Sequence, residues 1–147
     1  MSLQIDFQIS PYEGVGNIKL GMNQDEVRKA IGTDFKPFMK TPQSEMPTDH
    51  FIGKGIHVYY KMPGFCKAIE MFPPANPTFR GYRLMELPFS QLEACFKLED
   101  SLVKIEDFGL TSLRFGINLF VPDLDESQGA PVKAIIVFEK GYYDYKY

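Results

Sequence analysis

The chain carries nearly the same stretch twice, and this repeat constrains the fold more than any single motif. Gly55-Ile56-His57-Val58-Tyr59-Tyr60 returns as Gly116-Ile117-Asn118-Leu119-Phe120-Val121, and Lys67-Ala68-Ile69-Glu70-Met71-Phe72 returns as Lys133-Ala134-Ile135-Ile136-Val137-Phe138. The first pair of blocks is offset by 61 residues and the second by 66, so the second copy holds five extra residues between them. A period of this length points to one small unit duplicated in tandem. The Pro73-Pro74-Ala75-Asn76-Pro77 stretch sustains neither helix nor central strand and marks the junction. The expected units are residues 1–75, with an N-terminal strand, and residues 76–147, either separate or continuous as one domain.

Local patterns fill in each unit. Gln4 to Ile9 alternates with period two and reads as a strand, ended by Pro11, Gly14 and Gly16. Asn23 with Glu26 three positions on forms a capping-box pair; Val27, Ala30 and Ile31 make an apolar stripe, and Gly32 stops the helix. Leu92, Cys95 and Phe96 repeat that stripe, with Pro88 in the place of Asn23. Residues 33–54, with Pro37, Pro42 and Pro47, read as a polar connection. Strands are expected at Gly55–Lys61 and Lys67–Phe72, and again at Leu113–Val121 and Val132–Phe138, with a further short candidate at Val103–Ile105. The predicted fold class is therefore α+β: two tandem helix-plus-antiparallel-strand repeats, helices packed on one face of an antiparallel sheet.

The segment Gly16-Asn17-Ile18-Lys19-Leu20-Gly21-Met22-Asn23-Gln24-Asp25-Glu26-Val27, closing at Gly32, resembles a signature of small α+β units. Such units occur in the outer-membrane assembly lipoproteins and, more loosely, in the tandem-repeat β-lactamase inhibitor proteins. The tandem arrangement is closer to the inhibitors. The resemblance implies a continuous antiparallel sheet, backed by helices, whose open face binds another protein.

Composition narrows the function classes. Of 147 residues, 44% are hydrophobic, with 13 Phe and 8 Tyr, which is ample for a core. The net charge is −3, with the acidic excess in residues 74–147, and no basic stripe serves a nucleic acid. No apolar run approaches the ~20 residues of a membrane span, and no secretory signal opens the chain. Cys66 and Cys95, one per half, read as free thiols of a cytoplasmic protein.

Candidate chemistry is sparse. Asp49, His50 and His57 are the strongest catalytic or metal-ligating candidates, yet Asp49 and His50 would point to opposite faces of a strand. No dinucleotide, P-loop or nucleophile-elbow pattern is present. The sequence reading is a chain with no catalytic residues, no cofactor and no metal. Its expected partner-binding set is His57, Tyr59, Glu70, Asn118, Phe120 and Ile136, the face of the strands opposite Ile56, Val58, Tyr60, Ile69 and Met71. An inhibitor or immunity protein that neutralises a toxin or hydrolase is the favoured function, with the acidic stretch Asp123–Glu126 suited to a basic target. A small-molecule or metal-binding protein using Asp49, His50 and His57 is the alternative.

Overall fold

The structure, a computed structural model, describes residues 7–143. Thirteen strands and two helices follow one another along them. They are β1 (Ile9–Ser10), β2 (Gly14–Val15), β3 (Ile18–Lys19), α1 (Gln24–Ile31), β4 (Phe35–Phe38), β5 (Thr48–Phe51), β6 (Ile56–Lys61) and β7 (Phe65–Met71), then β8 (Thr78–Phe79), β9 (Tyr82–Arg83), α2 (Phe89–Glu99), β10 (Lys104–Glu106), β11 (Gly109–Ser112), β12 (Ile117–Phe120) and β13 (Ala134–Phe138). Eight of the strands form one antiparallel sheet in the order β10-β11-β12-β13-β7-β6-β5-β4. Strands β1-β2-β3 and β8-β9 form two small separate sheets.

This corrects the expected fold class. The chain is mostly β, with helices of only 8 and 11 residues, and is not a pair of helix-plus-strand repeats. The difference lies in segments that look like loop in the sequence. The polar connection at residues 33–54 contains β4 and β5. Pro37 is tolerated there because β4 is the outermost strand, so its missing N–H breaks no inner ladder. The supposed turn at Gly14 is strand β2, and Thr78–Arg83 forms a hairpin. The expected strand at Gln4 to Ile9 lies partly outside the described residues; within them β1 is only Ile9–Ser10.

The repeated blocks mark strands. The first pair of blocks lies on β6 and β12 and the second on β7 and β13. The two β7/β13 copies pair with each other, Ile135 opposite Met71 and Val137 opposite Ile69. Equivalent residues Glu70 and Ile136 therefore face one another at the centre of the seam.

One face of the sheet is sealed. Ile56, Val58, Ile69, Met71, Leu110, Ile117, Leu119, Ile135 and Val137 are buried there with Val27 and Ile31 of α1 and Phe89, Leu92 and Phe96 of α2 in one core. Helix α1 begins where the Asn23 side chain accepts the Glu26 N–H and the Glu26 carboxylate accepts the Asn23 N–H, and stops at Gly32 in the left-handed region. Helix α2 follows Pro88, which makes no side-chain cap; its stability comes from the three buried side chains.

The repeated glycines have a shared reason. Gly55 and Gly116 precede β6 and β12 with φ of 70° and 68°. Each accepts the amide of its counterpart, Phe72 N–H to Gly55 O at 2.9 Å and Phe138 N–H to Gly116 O at 3.0 Å. A Cβ on Gly55 would sit 2.0 Å from the Phe72 carbonyl oxygen, whereas one on Gly53 (φ 76°) would meet nothing within 4 Å. Gly53→Ala should therefore cost only the conformational term, about 1 kcal/mol. Gly55→Ala adds a backbone clash and should lose at least about 2 kcal/mol more by chemical denaturation; equal losses would refute the clash.

Candidate functional site

The opposite face of the sheet carries the chemistry. Cross-strand register sets Lys104, Thr111, Asn118, Ile136, Glu70, His57, His50 and Lys36 in one row, a residue from each of the eight strands. Asn118, Ile136, Glu70, His57 and His50 in its middle are half-buried, and Phe120 on the same face is 45% exposed. The alternation of strand side chains puts them there: their chain neighbours Val58, Ile69, Leu119 and Ile135 fill the core.

On the β5–β6–β7 side the polar groups form a chain. Glu70 accepts from Tyr59 Oη at 2.6 Å and lies 3.2 Å from His57 Nδ1, while His57 Nε2 lies 2.9 Å from His50 Nδ1. Burial works to raise the Glu70 pKa, but the hydrogen bonds from His57 and Tyr59 and the nearby Lys40 charge outweigh it and hold the carboxyl below its usual range. An ionised Glu70 only accepts, so His57 Nδ1 donates to it. His57 Nε2 and His50 Nδ1 share the next hydrogen bond, and His50 Nε2 is the far end of the chain. Phe38 meets His57 edge-on at 5.1 Å, and Phe72 meets His57 at 4.8 Å and stacks with His50 at 6.5 Å.

On the β11–β12 side the same row is uncharged at its centre. Asn118 Nδ2 donates to Thr111 Oγ1 at 2.8 Å and to Leu110 O at 3.2 Å, and Thr111 Oγ1 donates to Glu106 at 2.6 Å. Phe120 stands beside this network over a shallow hollow of about 300 Å³ that Phe108 and Asp107 also line.

The six expected binding residues thus share one face, but Tyr59 does not present its ring. It is 6% exposed, in a cluster with Ala68, Phe138 and Tyr142, and the Lys40 ammonium lies 4.5 Å from its centroid. Desolvation, then the bond to Glu70, pushes the Tyr59 phenol well above its ordinary value, so it stays a donor. Tyr142 and Tyr143 close this end of the face, with Tyr142 stacked on Phe138 at 5.4 Å. The remainder of the tyrosine-rich terminus, residues 144–147, lies outside the described residues.

The alternative trio is split. Asp49 is fully buried on the helix side, held by Arg28 at 2.9 and 3.1 Å and by Tyr60 Oη at 2.8 Å, away from His50 and His57. The hydrogen bond to Asp49 raises the Arg28 pKa. Among the described residues no group of three or more His, Cys, Asp or Glu is arranged to hold a metal ion. Both cysteines are free; burial pushes the Cys66 thiol up to about 12. The acidic loop belongs to the helix side, where Phe89 N–H donates to Ala130 O at 3.1 Å and Ser90 N–H to Gln128 O at 2.8 Å.

Sequence reasoning missed Phe38, Phe72 and the bond between His50 and His57, because β5 was hidden in the polar connection. The signal available was Gly53-Lys54-Gly55 between Thr48-Asp49-His50-Phe51 and Ile56-His57-Val58, a turn between two alternating runs.

No family model, no curated protein and no solved structure matches this chain. The resemblance of the Gly16–Gly32 segment therefore rests on its sequence alone. Among the described residues no helix is long and apolar enough to cross a membrane.

Two predictions follow the buried polar pairs. Arg28→Ala strands a fully buried carboxylate and should destabilise by roughly 3 kcal/mol, the low end for such a break because Arg28 is itself a quarter exposed; loss within ~0.5 kcal/mol would mean water replaces the guanidinium. Glu70 has a folded-state pKa below its unfolded one, so its contribution is complete above the unfolded value and disappears as pH falls through the folded one. Glu70→Gln should flatten that acid limb of a denaturant-stability profile, and an unchanged limb would contradict the assignment.

Proposed function

We propose that this chain is a non-catalytic protein-binding module, an inhibitor or immunity protein, that seats a toxin or hydrolase on the open face of its eight-stranded sheet. One observation carries the reading: in the half-buried row Asn118–Ile136–Glu70–His57–His50 every polar side chain is held by a hydrogen bond, and the row is flanked by Phe38, Phe72 and Phe120. Side chains already fixed lose little rotamer freedom on docking, and aromatic walls supply apolar contact area. The resemblance to the inhibitor proteins supports the same use of the face. Two free cysteines, one of them buried, support a cytoplasmic site of action.

A second reading has one observation in its favour. The chain from Glu70 through His57 ends on His50 Nε2, an arrangement suited to exchanging a hydrogen bond or a proton with a small molecule. Glu70 here stands where the sequence suggested Asp49.

Capture of partners from the source lysate on the wild-type protein and on surface variants separates the two. A stoichiometric protein partner should appear, with affinity reduced at least about tenfold by His57→Ala or Phe120→Ala and left unchanged by Lys97→Ala on α2. A partner indifferent to both face variants would sink the docking reading. Saturable binding of a small molecule abolished by His50→Ala would establish the second.

A further inference from the structure

The eight-stranded sheet ends in two edge strands, each paired on one side only, and they are not alike. Edge strand β4 carries Pro37, which has no N–H to offer, and the Arg28 guanidinium lies 4.1 Å over its Phe35 ring. Edge strand β10 is Lys104-Ile105-Glu106, without proline, and pairs only with β11. Its outer side leaves backbone donors and acceptors open to a further strand.

We propose that β10 is a self-association edge, where a second copy of this chain pairs antiparallel about a two-fold axis midway between the two Ile105 residues. The sequence of the strand is self-complementary in that register. Ile105 falls opposite Ile105 of the second copy, Lys104 opposite Glu106, and Glu106 opposite Lys104, so both charged pairs are satisfied at once. No other register of this three-residue strand satisfies both. Lys104 has no ion-pair partner among the described residues, and Glu106, which accepts from Thr111 Oγ1 at 2.6 Å through Oε1, keeps its other carboxylate oxygen for the lysine of the second copy.

The surroundings supply apolar area. Ile105 is 42% exposed, Leu102 just before the strand is 85% exposed, and Phe108 just after it is 50% exposed. A lone edge lysine would repel a copy of itself, which is how many sheets keep their edges single. A lysine and a glutamate placed symmetrically about a central isoleucine do the reverse. The pairing would continue the row of Lys104, Thr111 and Asn118 into the second copy and leave the His50–His57–Glu70 end uncovered. It is therefore independent of the docking reading above.

The test is sedimentation velocity of the full chain across a concentration series. Wild-type protein should show a reversible monomer–dimer equilibrium. Lys104→Glu sets two glutamates against two glutamates, and Glu106→Lys sets lysines against lysines; each should raise the dimer Kd at least about tenfold. An equimolar mixture of the two single variants should recover dimer as a heterodimer, because each cross-strand pair is again opposite in charge. Circular dichroism of each variant, and the recovery itself, establish that they fold. A wild-type protein monomeric at every concentration, a dimer indifferent to Lys104→Glu, or no recovery in the mixture would each overturn the proposal.

Discussion

The antiparallel seam between β7 and β13 is the contact on which the rest of the structure depends. Each is the last strand of its own four-stranded run, and each would be an open edge without the other. The seam buries Ile69, Met71, Ile135 and Val137 completely on the helix side, each worth about 2 kcal/mol when removed from water. It also fixes the geometry of the other face. With Glu70 opposite Ile136, every equivalent pair of positions lies symmetrically about this point: His57 and Asn118 one strand out, His50 and Thr111 two strands out.

That symmetry of position carries an asymmetry of chemistry. In the first half the row is ionisable and bonded end to end, from Tyr59 and Glu70 through His57 to His50. In the second half Ile136 replaces the carboxylate, and without it Asn118 turns to Thr111 and a backbone carbonyl. A duplicated strand pair thus supplies the scaffold twice, while single side-chain differences at the seam decide which half holds charge. The two outer edges diverge in the same way, a proline on β4 and a charge-balanced tripeptide on β10.

The sheet manages its polar groups differently on its two faces. Under the helices, Asp49 is bonded to Arg28 and Tyr60, and Asp100 accepts from Ser112 at 2.8 Å and the Leu102 amide at 3.0 Å. No buried side-chain polar atom among the described residues lacks a partner. On the open face the polar groups bond to each other, and Glu70, His57, His50 and Asn118 among them remain partly in water. The face proposed for docking is therefore the one whose polar groups are fixed by hydrogen bonds to each other rather than sealed beneath the helices.

Much of the strand framework could be read from the residues. Alternation in Ile56–Tyr60 and Ile69–Met71 gave the correct inner face, because a strand's side-chain period is fixed by its own backbone. The Asn23–Glu26 pair and Gly32 bounded α1, since capping is satisfied within one turn. What the residues could not give was the balance of the fold. Strands β4, β5, β8 and β9 are short, and they exist only because a neighbouring strand completes their hydrogen bonds. Likewise, Tyr59 is covered by a residue 83 positions later, Tyr142, and Asp49 is separated from His50 by the thickness of the sheet. The sequence alone determined which side chains share a face and where helix α1 begins and ends, because both follow from local backbone geometry. Tertiary structure decided how many strands join, which aromatic rings stay exposed and which polar groups meet, because each depends on pairing between segments far apart in the chain.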